Sequence, residues 1–324
     1  MLKIAMISRW HVHADEYARD IANTPGAEIA AVWDDDAARG QAWANELNCA
    51  FYHDYDELLA NPEIDGVAIV SSTNLHPELM IKAANAKKHI FTEKVLAFTK
   101  EDAEKIRDAV VKNGIYFTIS LPHKTMPGVL QAKKMADNGD LGQITYMRVR
   151  NTHNGSICNW LPEYFYDRAL CGGGAMMDLG AHPMYLLGWF LGKPEKMASA
   201  FTDVTSRGVE DNAVSVMKFE NGAIGVSETG FVSYSDPFTL EISGTKGYLQ
   251  LQGDIFRYKN EASGNEWVTV ETLPLRLERP VGYWLSGIRN NTKNTLYTID
   301  EAVLLTEFMD AAYRSCEEDK IVSL

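Results

Sequence analysis

Asp178 and His182 stand four positions apart in the stretch CGGGAMMDLGAHPMYLLGWFLG, residues 171–192. On one helix that spacing puts both side chains on the same face, about a turn apart. A carboxylate there orients an imidazole or raises its pKa, and the imidazole moves protons near neutral pH. Gly172-Gly173-Gly174, just upstream, let the backbone run close to a ligand. A second pair, Glu93-Lys94, closes the strand-like run 89–92. A partly desolvated lysine in that position stabilises a developing alkoxide or passes a proton. Plainer alternatives stand beside both: a capped helix with an Asp–His pair, and a surface ion pair. No third ligand accompanies Asp178 and His182, nor the pair His11 and His13, so no metal site is expected.

The elements that must position these residues follow from periodicity. The chain opens with the apolar run Leu2–Ile7, then Ser8-Arg9-Trp10-His11-Val12-His13. Next come Ala14, Tyr17, Ala18, Ile21 and Ala22 at helical spacing. That is the strand, turn and helix of a dinucleotide-binding unit, except that G-x-G-x-x-G has lost every glycine. The turn is read as a rebuilt phosphate loop, in which Ser8, Arg9, Trp10, His11 and Val12 meet a pyrophosphate at the helix N-terminus. Strand-like 28–33 then leads into Asp34, 26 positions after Ser8. A carboxylate there accepts bonds from the adenosine ribose and, with Asp35 and Asp36, repels a 2′-phosphate, favouring NAD over NADP. A cap for the next helix is the alternative. Ser71, Ser72 and Asn74 follow strand-like 66–70, at a strand end where ligands of open α/β sheets bind.

Helical patterns over 37–47, 77–86 and 100–111 alternate with these runs, and 115–120 is strand-like again. This is a Rossmann-type α/β domain over 1–120 with a parallel sheet. A helix over 126–138 and a strand over 143–150 open a second domain, 121–324. Its stretch 197–258 alternates apolar and polar residues between turns at Glu220-Asn221-Gly222 and Gly244–Gly247, giving a large, mostly antiparallel, open-faced sheet in an α+β domain. Thr298-Ile299-Asp300-Glu301 fits a capping box for a last helix, about 299–315, which is expected to pack back on the first domain.

Composition narrows the function classes. The 324 residues carry 31 Lys and Arg against 44 Asp and Glu, a formal charge of −13, which argues against nucleic-acid or anionic-membrane partners. Four scattered cysteines without a CxxC pair suit free thiols in a reducing compartment. The apolar run after Met1 meets Arg9 too soon for a signal peptide, and a cytoplasmic location is expected.

The order of these pieces resembles the Gfo/Idh/MocA family of NAD(P)-dependent sugar and cyclitol dehydrogenases, over essentially the whole chain. Besides Asp34, Glu93-Lys94 and GGG…D-x-G-x-H, the resemblance rests on Asn138-Gly139-Asp140-Leu141-Gly142, Glu210-Asp211-Asn212, Asn221-Gly222-Ala223 and Tyr313-Arg314-Ser315. It implies a hydride transfer between a nicotinamide cofactor and a secondary alcohol. His182 would be the acid/base, Lys94 would polarise the same oxygen, and Asp178 would orient substrate or His182. It further implies Glu93 at the nicotinamide side, His76 lining the cofactor cleft, and a homodimer or homotetramer formed through the second sheet. Val95 replaces the family's EKP proline, and His123-Lys124 replaces an arginine common in the second domain. With Trp160, Tyr164 and Arg168, those two are expected to tune substrate choice; core packing is the alternative for the aromatics. Two further readings remain: an NAD-dependent glycosidase that oxidises its sugar transiently, and a non-catalytic NAD- or sugar-binding regulator.

Overall fold

The computed structural model describes every residue except Ser235 and Pro237. The chain divides into two compact units: residues 1–121 with 278–306, and residues 122–277 with 307–324.

The first unit is built on six parallel strands: β1 (Leu2–Ile7), β2 (Ala27–Trp33), β3 (Ala50–Tyr52), β4 (Gly66–Ile69), β5 (His89–Thr92) and β6 (Phe117–Ile119). Their order, β3-β2-β1-β4-β5-β6, reverses direction at β1, so a crevice opens beyond the C-terminal ends of β1 and β4. All four residues of β4 are buried, as expected of a strand covered on both faces. The helix after β1, Ala14–Asn23, buries Ala14, Tyr17, Ala18 and Ile21. Ala22, grouped with them by periodicity, lies exposed. Sequence periodicity missed the helix Pro280–Asn290, which packs against Ala14–Asn23 and drives Trp284 fully into the core beside Phe91. Gly66 is required there: a Cβ would meet the Trp284 ring and the His89 carbonyl.

Among the described residues the second unit carries nine strands: β7 (Ile144–Thr152), β8 (Pro194–Thr202), β9 (Asn212–Phe219), β10 (Ile224–Gly230), β11 (Thr239–Gly244), β12 (Gly247–Gln252), β13 (Ile255–Asn260), β14 (Val268–Thr269) and β15 (Val322–Ser323). Their order is β14-β13-β12-β11-β7-β10-β9-β8-β15, antiparallel throughout apart from the parallel pair β7–β10. Both expected hairpins form, at Asn221-Gly222 between β9 and β10 and at Gly244–Gly247 between β11 and β12. Helices Pro127–Asp137 and Ala181–Leu191 pack on this sheet. An ion-pair ladder runs across three of its strands, Arg148 reaching Glu241 at 2.8 Å and Glu228 at 3.4 Å. The capping box closes as expected: the Glu301 amide donates to Thr298 Oγ1 and the Thr298 amide to Glu301 Oε2. The helix it opens, Ile299–Glu317, is divided between the units after Thr306.

Candidate functional site

In the first unit the turn after β1 shows how a phosphate loop is built without glycine. Ser8 sits at the first glycine position with φ +66°, the left-handed conformation glycine normally supplies. Its hydroxyl lies 3.2 Å from Asp34 Oδ1 and 3.0 Å from Asp35 Oδ1, and accepts the Trp10 amide at 3.3 Å. Asp34 accepts the Arg9 amide at 2.8 Å, the Asp36 amide at 3.0 Å, and Arg39 at 2.5 Å. Burial pushes the Asp34 carboxyl up, but Arg39 and the two amides outweigh it and hold it below the ordinary value. The carboxylate expected at a ribose is thus spent on closing the turn, with none of its side chain exposed. Asp35, its side chain 40% exposed, is the neighbouring carboxylate at the surface. Asp36 caps the following helix through the Ala38 and Arg39 amides.

The remaining turn residues divide by face. The Arg9 guanidinium turns to Asp15 and Glu46 and lies over the Trp43 ring. Trp10 and His11 are buried, and the His11 amide donates to the Val70 carbonyl at the end of β4. Val12 and His13 are exposed. Among the described residues no side chain caps the helix that begins at Ala14.

At the neighbouring strand ends, Ser71 and Ser72 are buried, and the Ser72 hydroxyl donates to Asn74 Oδ1 at 2.6 Å. Leu75 holds the cap position of the following helix, His76–Asn85, with no side-chain cap bond among the described residues. His76 is fully buried, its Nδ1 2.9 Å from the Val95 carbonyl and its Nε2 without a partner among the described residues. Burial holds its pKa below the ordinary histidine value. The Lys94–Val95 peptide bond is cis. Lys94 is 8% exposed and Glu93 2%. Glu93 accepts the Tyr17 hydroxyl and, at 2.9 Å, the Lys94 amide, while Tyr17 also meets Ser120 at 2.8 Å. Burial raises the Glu93 carboxyl, but the nearby charges of His11, His13 and Lys94 overcome it, leaving the group acidic. The fold thus supplies what the spacing of His11 and His13 lacked: Glu93 lies with both, their ligand atoms all within 4.8 Å of one another.

In the second unit the helical reading of Asp178 and His182 needs correction. They sit on two helices, Ala175–Asp178 and Ala181–Leu191, separated by Leu179 and Gly180. The Gly180 amide reaches back to the Ala175 carbonyl, breaking the regular ladder between them. The Gly172–Gly174 loop also approaches protein rather than open space. A Cβ on Gly173 would strike the Tyr313 hydroxyl, and one on Gly174 the Glu210 carbonyl. Glu210 binds this loop, accepting the Gly174 amide at 2.8 Å, the Met176 amide at 3.0 Å and the Tyr313 hydroxyl at 2.6 Å. Burial raises the Glu210 carboxyl even so.

His182 is 8% exposed, and its Nδ1 lies 2.9 Å from the Tyr185 hydroxyl, which also accepts the His123 amide at 2.9 Å. The His123 and His182 rings are 4.1 Å apart. Tyr185 escaped the sequence reading, although its i,i+3 spacing from His182 was a usable signal. Lys124 is 1% exposed, its ammonium 5.1 Å from the Trp189 ring. Trp160 and Tyr164 are exposed, Trp160 donating to Asn154 at 2.8 Å. Tyr166 packs in an apolar cluster with Phe165 and Phe231, which Trp160 and Tyr164 do not join. Arg168 pairs with Glu317 beside a separate 260 Å³ cavity that Tyr313 and Glu210 also line.

Residues 4–120 match the family described as "Oxidoreductase family, NAD-binding Rossmann fold", and residues 129–250 match the "GFO/IDH/MocA C-terminal domain". The levoglucosan dehydrogenase of Pseudarthrobacter phenanthrenivorans is 28% identical over 272 residues, covering 74% of this chain and 65% of that protein. The NAD(+)-dependent scyllo-inositol 2-dehydrogenase of Bacillus subtilis is 27% identical over 237 residues, covering 71% and 67%. The chain thus spans about two thirds of the length of these relatives. A solved structure of levoglucosan dehydrogenase with NADH and levoglucosan superposes with a TM-score of 0.87 at 20% identity, covering 99% of both chains. At that identity the likeness speaks for the fold.

Proposed function

Because the chain belongs to the Gfo/Idh/MocA family of oxidoreductases and carries an NAD-binding Rossmann domain, we propose that it oxidises, reversibly, a secondary alcohol of a sugar or cyclitol. The observation that carries the reading is the His182–Tyr185 pair, which equips an almost buried imidazole for proton transfer. A tyrosine hydroxyl has one hydrogen and two lone pairs. With one lone pair taken by the His123 amide, it can still donate to His182 Nδ1 or accept from it. When it accepts from Nδ1–H, His182 presents the Nε2 lone pair as the base, and in the conjugate acid both ring nitrogens carry protons, Nδ1–H still donating to Tyr185. Lys94, at the end of β5, supplies positive charge for the carbinol oxygen, and Asp178 orients substrate.

NAD, when bound, takes up or returns the hydride. Three features of the first unit suit it: the glycine-like φ of Ser8, a helix N-terminus without a side-chain cap, and the buried unpartnered Nε2 of His76. Arg39 is already neutralised by Asp34 and Asp35, which favours NAD over its 2′-phosphorylated form. Asp35 is the carboxylate we assign to the ribose.

His123, Lys124, Trp160 and Tyr164 are proposed to set substrate choice, and the exposed sheet face around Tyr146 and Val216 to join two or four copies. The test is a panel of sugars, glycosides and cyclitols with NAD or NADP, read by nicotinamide absorbance and by mass analysis of products. Oxidation of at least one polyol with NAD supports the reading. Lys94→Ala should lower turnover by about 10²–10⁴-fold while leaving NAD affinity unchanged. Full activity in that variant removes Lys94 from the mechanism.

A further inference from the structure

A pyrophosphate contact at His11 and a nicotinamide contact at Glu93 do not account for the meeting of the His11 and His13 imidazoles with the Glu93 carboxylate. We propose that His11, His13 and Glu93 form a binding site for a divalent transition-metal ion of the zinc class. This inference stands on the first unit alone and does not depend on the proposed reaction.

Two imidazoles and one carboxylate are the ligand set of three-ligand zinc sites, which leave one position open for water or an anion. Their donor atoms lie within 4.8 Å of one another. Bonds of about 2.0–2.2 Å put tetrahedral donors roughly 3.3–3.5 Å apart, so side-chain shifts of about 1 Å close the set. His13 can supply that movement, its side chain being 51% exposed. The other two are fixed: the His11 backbone is pinned by bonds to Val70 and Ala14, and Glu93 is 2% exposed.

Two of the three ligands have the outer-shell pattern of a metal site, in which a second hydrogen bond orients the ligand. His13 Nδ1 lies 3.3 Å from Glu16 Oε2, a bond that would make Nε2 its ligand atom, and Glu16 is itself held by Arg279 at 2.6 Å. The Glu93 oxygens are oriented by the Tyr17 hydroxyl and the Lys94 amide. His11 Nδ1 accepts the His13 amide at 3.2 Å, which places the neutral ring's proton on Nε2. Capture through Nδ1 exchanges that long amide contact for a coordinate bond and leaves the proton on Nε2. Ligand type selects the ion. Imidazole suits zinc, copper, iron and nickel, whereas magnesium and calcium call for an oxygen shell that this trio lacks.

The experiment uses the full chain without an affinity tag, stripped with a chelator, titrated with Co²⁺ by visible absorption and with Zn²⁺ by calorimetry. One equivalent should bind at micromolar affinity or tighter, with the intense ligand-field bands of a four-coordinate Co²⁺ site. Outer-shell changes cost about 10–100-fold in metal affinity, so Glu16→Gln should fall in that range. His11→Ala and His13→Ala should lose at least as much, with circular dichroism reporting that each is folded. His153→Ala, in the second unit, should keep the wild-type stoichiometry. Binding weaker than millimolar, or an undiminished equivalent in folded His11→Ala and His13→Ala, overturns the proposal.

Discussion

Ser8 is the sharpest place to test how this chain closes a phosphate turn without glycine. At φ +66° an L-residue carries strain of about 1–2 kcal/mol that glycine does not. Glycine in turn loses about 0.5–1 kcal/mol to its freer unfolded chain. The Ser8 hydroxyl joins Asp34, Asp35, Trp10 and Arg39, and its net contribution is about 1 kcal/mol. Ser8→Ala keeps the strain and loses the hydroxyl, so it should cost about 1–2 kcal/mol. Ser8→Gly loses the hydroxyl but relieves the strain, and should fall within about 1 kcal/mol of wild type. Alanine should therefore be the worse replacement by about 0.5–1 kcal/mol, or about 1–4 °C in Tm for a unit of this size. Thermal unfolding followed by tryptophan fluorescence measures the difference, with NAD titration confirming that both variants keep the turn. If glycine proves no better than alanine, the left-handed turn is not what Ser8 is there to hold.

Three other outcomes follow from the geometry. Tyr185→Phe removes the partner of His182 Nδ1 and of the His123 amide; it should lower kcat about 10-fold and displace the pH–rate profile with NAD affinity unchanged, as steady-state kinetics will read. Glu210→Ala strands three donors and should destabilise by about 1–3 kcal/mol, whereas Glu210→Gln keeps an acceptor for them. The Glu210 carboxyl is raised in the folded state, so the wild type loses stability as pH rises from the ordinary Glu value of 4.5 toward the folded one. Urea unfolding of Glu210→Gln across that window should lack this component. His76 is the converse: its folded pKa is depressed below 6.5, so the stability it confers is full above that pH and declines as pH falls below it. His76→Asn should flatten that part of the urea-derived stability curve.

Local pattern carried much of the fold into view. The strand–turn–helix at the start, the post-strand Asp34, the hairpin turns and the Thr298–Glu301 box are read from neighbours within a few residues, and each takes its expected shape. Contacts across long sequence separations stayed hidden. Glu93 joins His11 and His13 from about 80 positions away because β1 and β5 end on the same edge of the sheet. The glycines of 172–174 looked like room for a ligand, yet Tyr313 and Glu210 fill that space. Gly180 splits the helix that would have aligned Asp178 with His182. Arg168 suggested a substrate contact by its charge, but a Glu317 partner 149 positions away takes it. Asp34 shows a further limit. Its position announced a nucleotide fold, but its carboxylate closes the turn that glycine closes elsewhere.

The claim of hydride transfer at a carbinol carbon is tested most directly by isotope. A polyol that supports NAD reduction is prepared with deuterium at the oxidised carbon and incubated with the enzyme and NAD, and the reduced cofactor is weighed by mass spectrometry. The account predicts NADH one mass unit heavier, with the label at C4 of the nicotinamide, and almost none formed by His182→Ala despite unchanged NAD binding. Unlabelled NADH, or undiminished labelling by His182→Ala, would contradict it.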